Sequence, residues 1–320
     1  MAYLRNALPQ LTGNLFLTDG GLETTLIFLD GLELPDFAAF HLLKSKEGEQ
    51  ILRRYYLSYA ELAKKFKTGL ILESATWRAN PDWAFKLGYT RQELAEVNRK
   101  AIHLLDEIRK KYESPDMPVV ISGCIGPRGD GYIPSLVMSV EEAIQYHTAQ
   151  ITAFCETNAD LVTAMTLNYA EEAIGIASAA KEFEIPVVIS FTVETDGHLP
   201  TGQTLKDAIE QTDRATGFYP TYYMLNCAHP SHFESTLRPG ESWMRRIGGI
   251  RANSSKKSHE ELNESTELDI GNPEELGQHY ARLTKLLPQF NIMGGCCGTD
   301  CRHVEQIAIA CTPLFQGFTK

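Results

Sequence analysis

The sequence predicts a single (β/α)₈ barrel, on three observations. Eight short apolar runs recur along the 320 residues, segments with helical periodicity separate them, and no low-complexity, proline-rich or long charged stretch divides the chain. Most of these runs are continuously apolar, as strands covered on both faces must be. Strands that alternate with helices pair in parallel, and eight such units are the number that closes a barrel. A doubly wound open sheet shares the alternation and stands as the structural alternative. The barrel reading takes residues 1–320 as one domain.

Taken in order, each strand carries a polar or sulfur-bearing residue towards one rim, since catalytic groups of such barrels sit at the C-terminal strand ends. Leu15–Thr18 leads into Asp19, and Gly69–Leu72 leads towards Trp77 and Arg78. Val119–Ser122 precedes Cys124, and Leu161–Met165 ends on a thioether. Val187–Phe191 is followed by Thr192 and Glu194, Tyr222–Asn226 by Cys227, and Asn291–Met293 by Cys296 and Cys297; Ile247–Arg251 is the seventh run. The helices between them have readable starts. Thr90-Arg91-Gln92-Glu93 and Ser139-Val140-Glu141-Glu142 fit the capping-box spacing. Asn272-Pro273-Glu274-Glu275 supplies a cap, a first-turn proline and two acids suited to the helix dipole.

Composition narrows the function classes. Thirty Lys and Arg stand against 41 Asp and Glu, a net charge of −11, and 43% of residues are hydrophobic. A chain of this length buries roughly three quarters of its unfolded surface and needs no staple in order to fold. The acidic balance argues against nucleic acid as a partner, because phosphate binding wants a basic face. No 18-residue apolar stretch provides a membrane span. The start, MAYLRNALPQLTGN, lacks the apolar core of a signal peptide. Seven cysteines, an odd number, are read as cytoplasmic reduced thiols available for metal or catalysis. Gly123-Cys124-Ile125-Gly126-Pro127-Arg128-Gly129 fits neither the dinucleotide nor the P-loop spacing, and Pro127 removes an N–H that a phosphate would need.

The cysteines carry the chemistry. Gly294-Gly295-Cys296-Cys297-Gly298 offers two adjacent thiolates in a backbone free to approach a ligand, and Cys227 offers a third across the barrel mouth. Three protein ligands leave the fourth tetrahedral position of one Zn²⁺ open, the mark of a catalytic site. An all-sulfur set disfavours magnesium and calcium. Cys155 and Cys311 read as packing residues inside helices, and Cys124 as a rim-loop residue of the same kind. Other arrangements stay open at this point: a mixed set drawing on His229, His232 or Cys301, or a vicinal Cys296–Cys297 disulfide.

On these residues the chain resembles the homocysteine S-methyltransferase family of zinc-dependent thiol methyltransferases. The resemblance also includes Thr18-Asp19-Gly20-Gly21-Leu22-Glu23-Thr24, Gly126-Pro127 and Asn226-Cys227. It implies zinc ligation by Cys227, Cys296 and Cys297, with Asp19, Gly20, Gly21, Thr192 and Asn226 around the substrate and Asp19 helping to hold the amino-acid acceptor. It implies methyl transfer to a metal-bound thiolate, with homocysteine becoming methionine. The donor is a small sulfonium or quaternary ammonium compound such as S-methylmethionine, S-adenosylmethionine or a betaine. Trp77 offers an aromatic face to such a cation. One departure stands out. Met165 lies where homocysteine-using members place a glutamate on the substrate ammonium, and a thioether cannot replace a carboxylate there. Either another acid, Glu73 or Glu194, takes the amine, or the acceptor is a different small thiol. Arg78 would suit a thiol acid. The other classes weighed are a zinc-assisted hydrolase or lyase using His229 or Glu194 as base, and a non-catalytic zinc- or thiol-binding protein. Oligomeric state and a lid role for residues 256–268 are left open by the sequence.

Overall fold

The computed structural model describes residues 4–134 and 136–315. Eight parallel strands run in sequence order around a closed barrel: β1 (Phe16–Leu17), β2 (Gly69–Glu73), β3 (Val119–Ile125), β4 (Leu161–Leu167), β5 (Val187–Phe191), β6 (Tyr222–Asn226), β7 (Ile247–Ala252) and β8 (Ile292–Gly295). Closure is made by β1 pairing with β8, with Phe16 opposite Ile292 and Leu17 opposite Met293, so the sheet is not the open alternative.

Several strand ends differ from the sequence reading. The third strand runs on to Ile125 because Cys124 and Ile125 pair with Thr163 and Ala164 of β4. Cys124 is therefore a strand residue in the barrel wall, not a rim-loop residue. The fourth strand runs on to Leu167 across a bulge between Ala164 and Leu167, where Thr166 takes a left-handed φ of 63°. The eighth takes in both glycines, and the first shortens to two residues.

The helices are amphipathic and pack their apolar faces on the strands. The long ones are α1 (Lys46–Phe66), α2 (Arg91–Tyr112), α3 (Val140–Cys155), α4 (Ala170–Glu182), α5 (Leu205–Thr216), α6 (Pro273–Leu283) and α7 (Cys301–Phe315). In α1 the buried Leu52, Tyr55, Tyr56, Tyr59 and Ala63 fall three and four apart, one face of a 3.6-residue helix. Both capping boxes form, at Thr90 and Ser139, and Asn272 accepts the Glu275 amide. The β6–β7 crossover departs from the regular alternation. It holds only the short helix Pro230–Phe233 and two 3₁₀ turns, Glu234–Thr236 and Ser242–Arg246.

A second apolar cluster of Phe16, Ile71, Val120, Leu161, Val188, Tyr222, Met224 and Ile292 joins side chains from seven strands, which can meet only inside the barrel. These residues lie mostly at strand beginnings, so they plug the N-terminal half and leave the C-terminal half to form a cavity. Among the described residues no helix is long and apolar enough to cross a membrane.

Candidate active site

A cavity of about 440 Å³ opens at the C-terminal rim, lined from β1, β2, β3, β4, β6, β7 and β8 and the loops that follow them. Three sulfurs stand in its wall. Those of Cys227, Cys296 and Cys297 all lie within 4.8 Å of one another, a spacing that one metal ion can bridge. In the structure Cys227 and Cys296 are joined as a disulfide, and Cys297 is free. The bond thus links the β6 and β8 ends and is not the vicinal pair. Burial pushes the Cys297 thiol up to about 11, so a metal bound there must displace its proton.

The backbone holds these sulfurs in place. Cys227 takes a left-handed φ of 55°, and its carbonyl accepts from Asn253 Nδ2 at 2.9 Å and lies 2.7 Å from His259 Nε2. The amide of Cys296 donates to Ala252 at 2.8 Å, and the Cys297 carbonyl accepts from Ser254 at 3.2 Å. Gly21 lets the β1 loop lie against the cysteine loop: a Cβ there would stand 2.5 Å from the Cys296 carbonyl oxygen.

The remaining sequence candidates divide. Gly20, Gly21, Asp19, Trp77, Met165 and Asn226 all line the cavity. Asp19 is engaged by the protein itself: Arg251 Nη2 lies 2.7 Å from Oδ1, and Tyr55 donates to Oδ2 at 3.0 Å. Burial disfavours the Arg251 charge, but Asp19 and Glu73 outweigh it and hold its pKa above the ordinary value. Asn226 is also committed. It accepts from the Thr166 amide at 2.8 Å and Ser190 at 2.6 Å and donates to Thr166 Oγ1 at 2.8 Å, so it fixes the β4 bulge. Trp77 already carries a cation, with the Arg78 guanidinium 4.4 Å from its ring centroid.

Thr192 does not reach the cavity. It is fully buried, its amide donates to Leu167, and it is not among the residues that line the cavity. Glu194 lies 3.0 Å from His259 and also stands outside the lining. His229 caps the Pro230–Phe233 helix by accepting the Ser231 amide, and burial pushes it down to about 3. His232 Nε2 lies 2.9 Å from the Lys256 carbonyl, and the Cys301 thiol donates to Ser58. Neither histidine nor Cys301 joins the cysteine cluster, so the mixed ligand sets are not formed.

Sequence reasoning missed three groups and weighed a fourth only in part. Tyr132 approaches Cys297 Sγ at 3.7 Å and stacks on His259 with centroids 4.0 Å apart. Arg251 was read only as the end of a strand. Glu23, inside the quoted β1 motif, lines the cavity and is pushed up to about 7 by burial. Glu73, weighed only for an amine, is also pushed up to about 7 by burial, and its Oε2 has no hydrogen-bond partner. Residues 256–268 supply Leu262, Asn263, Ser265, Glu267 and Leu268 to the cavity wall.

The fold and this site define a parallel barrel whose C-terminal mouth holds a three-cysteine cluster. The homocysteine S-methyltransferase family model matches residues 16–311, and the chain belongs to that family. It is 22% identical to homocysteine S-methyltransferase 2 of Arabidopsis thaliana, covering 92% of each chain. It is 24% identical to homocysteine S-methyltransferase YbgG of Bacillus subtilis, covering 67% of each. The crystal structure of the homocysteine methyltransferase MmuM from Escherichia coli in its oxidised form superposes with a TM-score of 0.74 at 17% identity, over 95% of this chain and 98% of that one. The metallated form gives 0.72 at 18% identity, over 92% and 96%.

Proposed function

We propose that the protein is a zinc-dependent S-methyltransferase that moves a methyl group from a small sulfonium or quaternary ammonium donor to a thiol, with homocysteine giving methionine. The observation that carries this reading is the convergence of the Cys227, Cys296 and Cys297 sulfurs, from two barrel strands, on one point of the cavity wall. Three thiolates at zinc bond lengths of about 2.3 Å stand about 3.8 Å apart. The sulfurs here fit that set once the Cys227–Cys296 pair is reduced. Zinc held by Cys227, Cys296 and Cys297 would supply Lewis acidity that favours the thiolate form of an acceptor thiol.

The chain's own groups do the rest. Asn226 and the His259 contact to the Cys227 carbonyl hold the β6 end rigid, and Asp19 and Arg251 brace the β1 and β8 loops as an ion pair. The bases invoked for a hydrolase, His229 and Glu194, lie outside the lining, which favours group transfer between thiol and donor.

The test is a matrix of methyl donors and thiol acceptors scored by mass spectrometry on zinc-loaded protein beside Cys297→Ala. Methylated homocysteine formed only by the intact protein is the expected result. No methylated thiol from any pair, with zinc bound, would refute the reading.

A further inference from the structure

Arg78 is nine-tenths buried, at 8% exposure, and has no carboxylate within 4.0 Å among the described residues. Its buried counterparts are paired: Arg109 with Asp106 and Asp160 at 2.8 and 2.6 Å, and Arg251 with Asp19 at 2.7 Å. A buried guanidinium without a contact carboxylate is costly even where Asp130, Glu23 and Asp36 act on it from beyond ion-pair distance, and a structure can hold one flat for a ligand. Arg78 is held in that way. Its guanidinium carbon lies 4.4 Å from the Trp77 ring centroid and 3.9 Å from that of Trp83. Nη1 donates to the Gly129 carbonyl at 2.7 Å, and Nε is buried without any partner. What remains for a ligand is Nη2, which has no hydrogen-bond partner among the described residues, while Nε lies shut off beside the indoles. Arg78 lines the same cavity as the three cysteines.

Acids on the same lining, Glu23, Glu73 and Asp130, suit an ammonium, and Arg78 is the lining cation that no ion pair occupies among the described residues. Asp19 is occupied by Arg251 and Tyr55, and Met165 brings no charge to the end of β4. We propose that Arg78 is the carboxylate-binding residue of this cavity, so that its ligands are small acids: thiol acids on the acceptor side, or sulfonio and ammonio acids on the donor side. The inference rests on the methyl-transfer reading for the identity of the two substrates, but the carboxylate contact is read by binding alone.

Calorimetric titration of the zinc-loaded full chain separates the sources. The acceptor arm compares 3-mercaptopropionate with 3-mercapto-1-propanol. The donor arm compares dimethylsulfoniopropionate with trimethylsulfonium. In at least one arm the native protein should prefer the acid by about tenfold or more, the worth of a charge-assisted pair. Arg78→Met should abolish that preference, and Arg78→Lys, which keeps the charge without the planar guanidinium, should retain only part of it. The arm that responds names the source of the carboxylate. Equal affinities within both pairs for the native protein overturn the proposal, and this needs no variant to fold. A preference that survives in a folded Arg78→Met overturns it too. Methylated thiol product without any acid preference defeats this inference and leaves the methyl-transfer reading standing. Acid preference without product does the reverse.

Discussion

Met165→Glu asks whether the missing carboxylate limits homocysteine binding. Met165 is 5% exposed, lines the cavity, and sits on the β4 bulge where its carbonyl accepts from Trp77 Nε1 at 3.3 Å. A carboxylate at this position would meet an acceptor ammonium as a charge-assisted hydrogen bond, worth about 1.5–3 kcal/mol. That corresponds to about 10- to 150-fold in affinity for homocysteine. The new acid shares a wall with Glu23 and Glu73, both held up to about 7 by burial. Burial should push the new acid in the same direction, so the gain should grow as pH rises and shrink towards acid pH. Without ligand, the buried acid should lower stability by about 1–3 kcal/mol. The assay is calorimetric titration of both proteins with homocysteine and with 4-mercaptobutyrate, which lacks the amine. Only homocysteine should bind more tightly to the variant. Equal homocysteine affinities for the two proteins at pH 8 would refute the reasoning.

Cys297→Ser should keep the fold and weaken zinc affinity by at least about tenfold, because a hydroxyl is a poorer zinc ligand than a thiolate; competition with a chromogenic chelator reads this. Glu73 has a folded pKa raised to about 7 by burial, so the stability it contributes is full below its unfolded value and is lost as pH rises through 7. Glu73→Gln should therefore flatten the pH dependence of urea unfolding between pH 5 and 8 by about 3 kcal/mol. At the opposite end of the barrel, Arg109 joins Asp106 and Asp160, whose Oδ2 also accepts the Ile121 amide at 2.9 Å. Arg109→Met takes the ion-pair partner from buried Asp160, while Asp106 keeps Lys110 at 2.8 Å, and should cost about 3–5 kcal/mol in urea melts, with zinc affinity unchanged.

The barrel was legible because its signals are local. Continuous apolar runs of four or five residues and hydroxyl–x–x–acid caps state their own structure, and Thr90, Ser139 and Asn272 all cap as their spacing requires. Strand ends were less legible where pairing is decided by the neighbour: Cys124 is in the sheet because Thr163 lies opposite it. The three cysteines were legible because the parallel topology brings the ends of β6 and β8 to one rim. Thr192 was misplaced by the same rule applied without regard to direction. A residue one step past a strand end has an equal claim to point into the cavity or into the wall, and the apolar run before it carries no signal for which. Arg251 was the least legible of all, and Arg78, though weighed for a thiol acid, gave no sign of its setting between two indoles. A charge in an apolar run reads alike whether it meets Asp19 or nothing, and the difference lies in residues more than 200 positions away or in the flanking indoles.

Those two arginines divide the charge of the cavity between structure and recognition. Arg251 spends its donors on the protein: Nε donates to the Gly295 carbonyl at 3.0 Å, and Nη2 donates to the Gly20 carbonyl at 3.0 Å while facing Asp19. It therefore ties the loop after β1 to the glycines that precede Cys296 and Cys297. That tie matters because β1 is only two residues long and its own ladder cannot fix the loop that follows it. With Asp19 enlisted in this brace, the acid that the sequence assigns to an amino-acid acceptor is already neutralised before any ligand enters. Arg78 differs in that its guanidinium makes one backbone bond and otherwise rests on aromatic faces, which fix its plane without satisfying its donors. One arginine thus ties down the cysteine loop, and the other leaves Nη2 for an anion. That separation is what makes Arg78, rather than Arg251, the cation proposed to select acids as ligands.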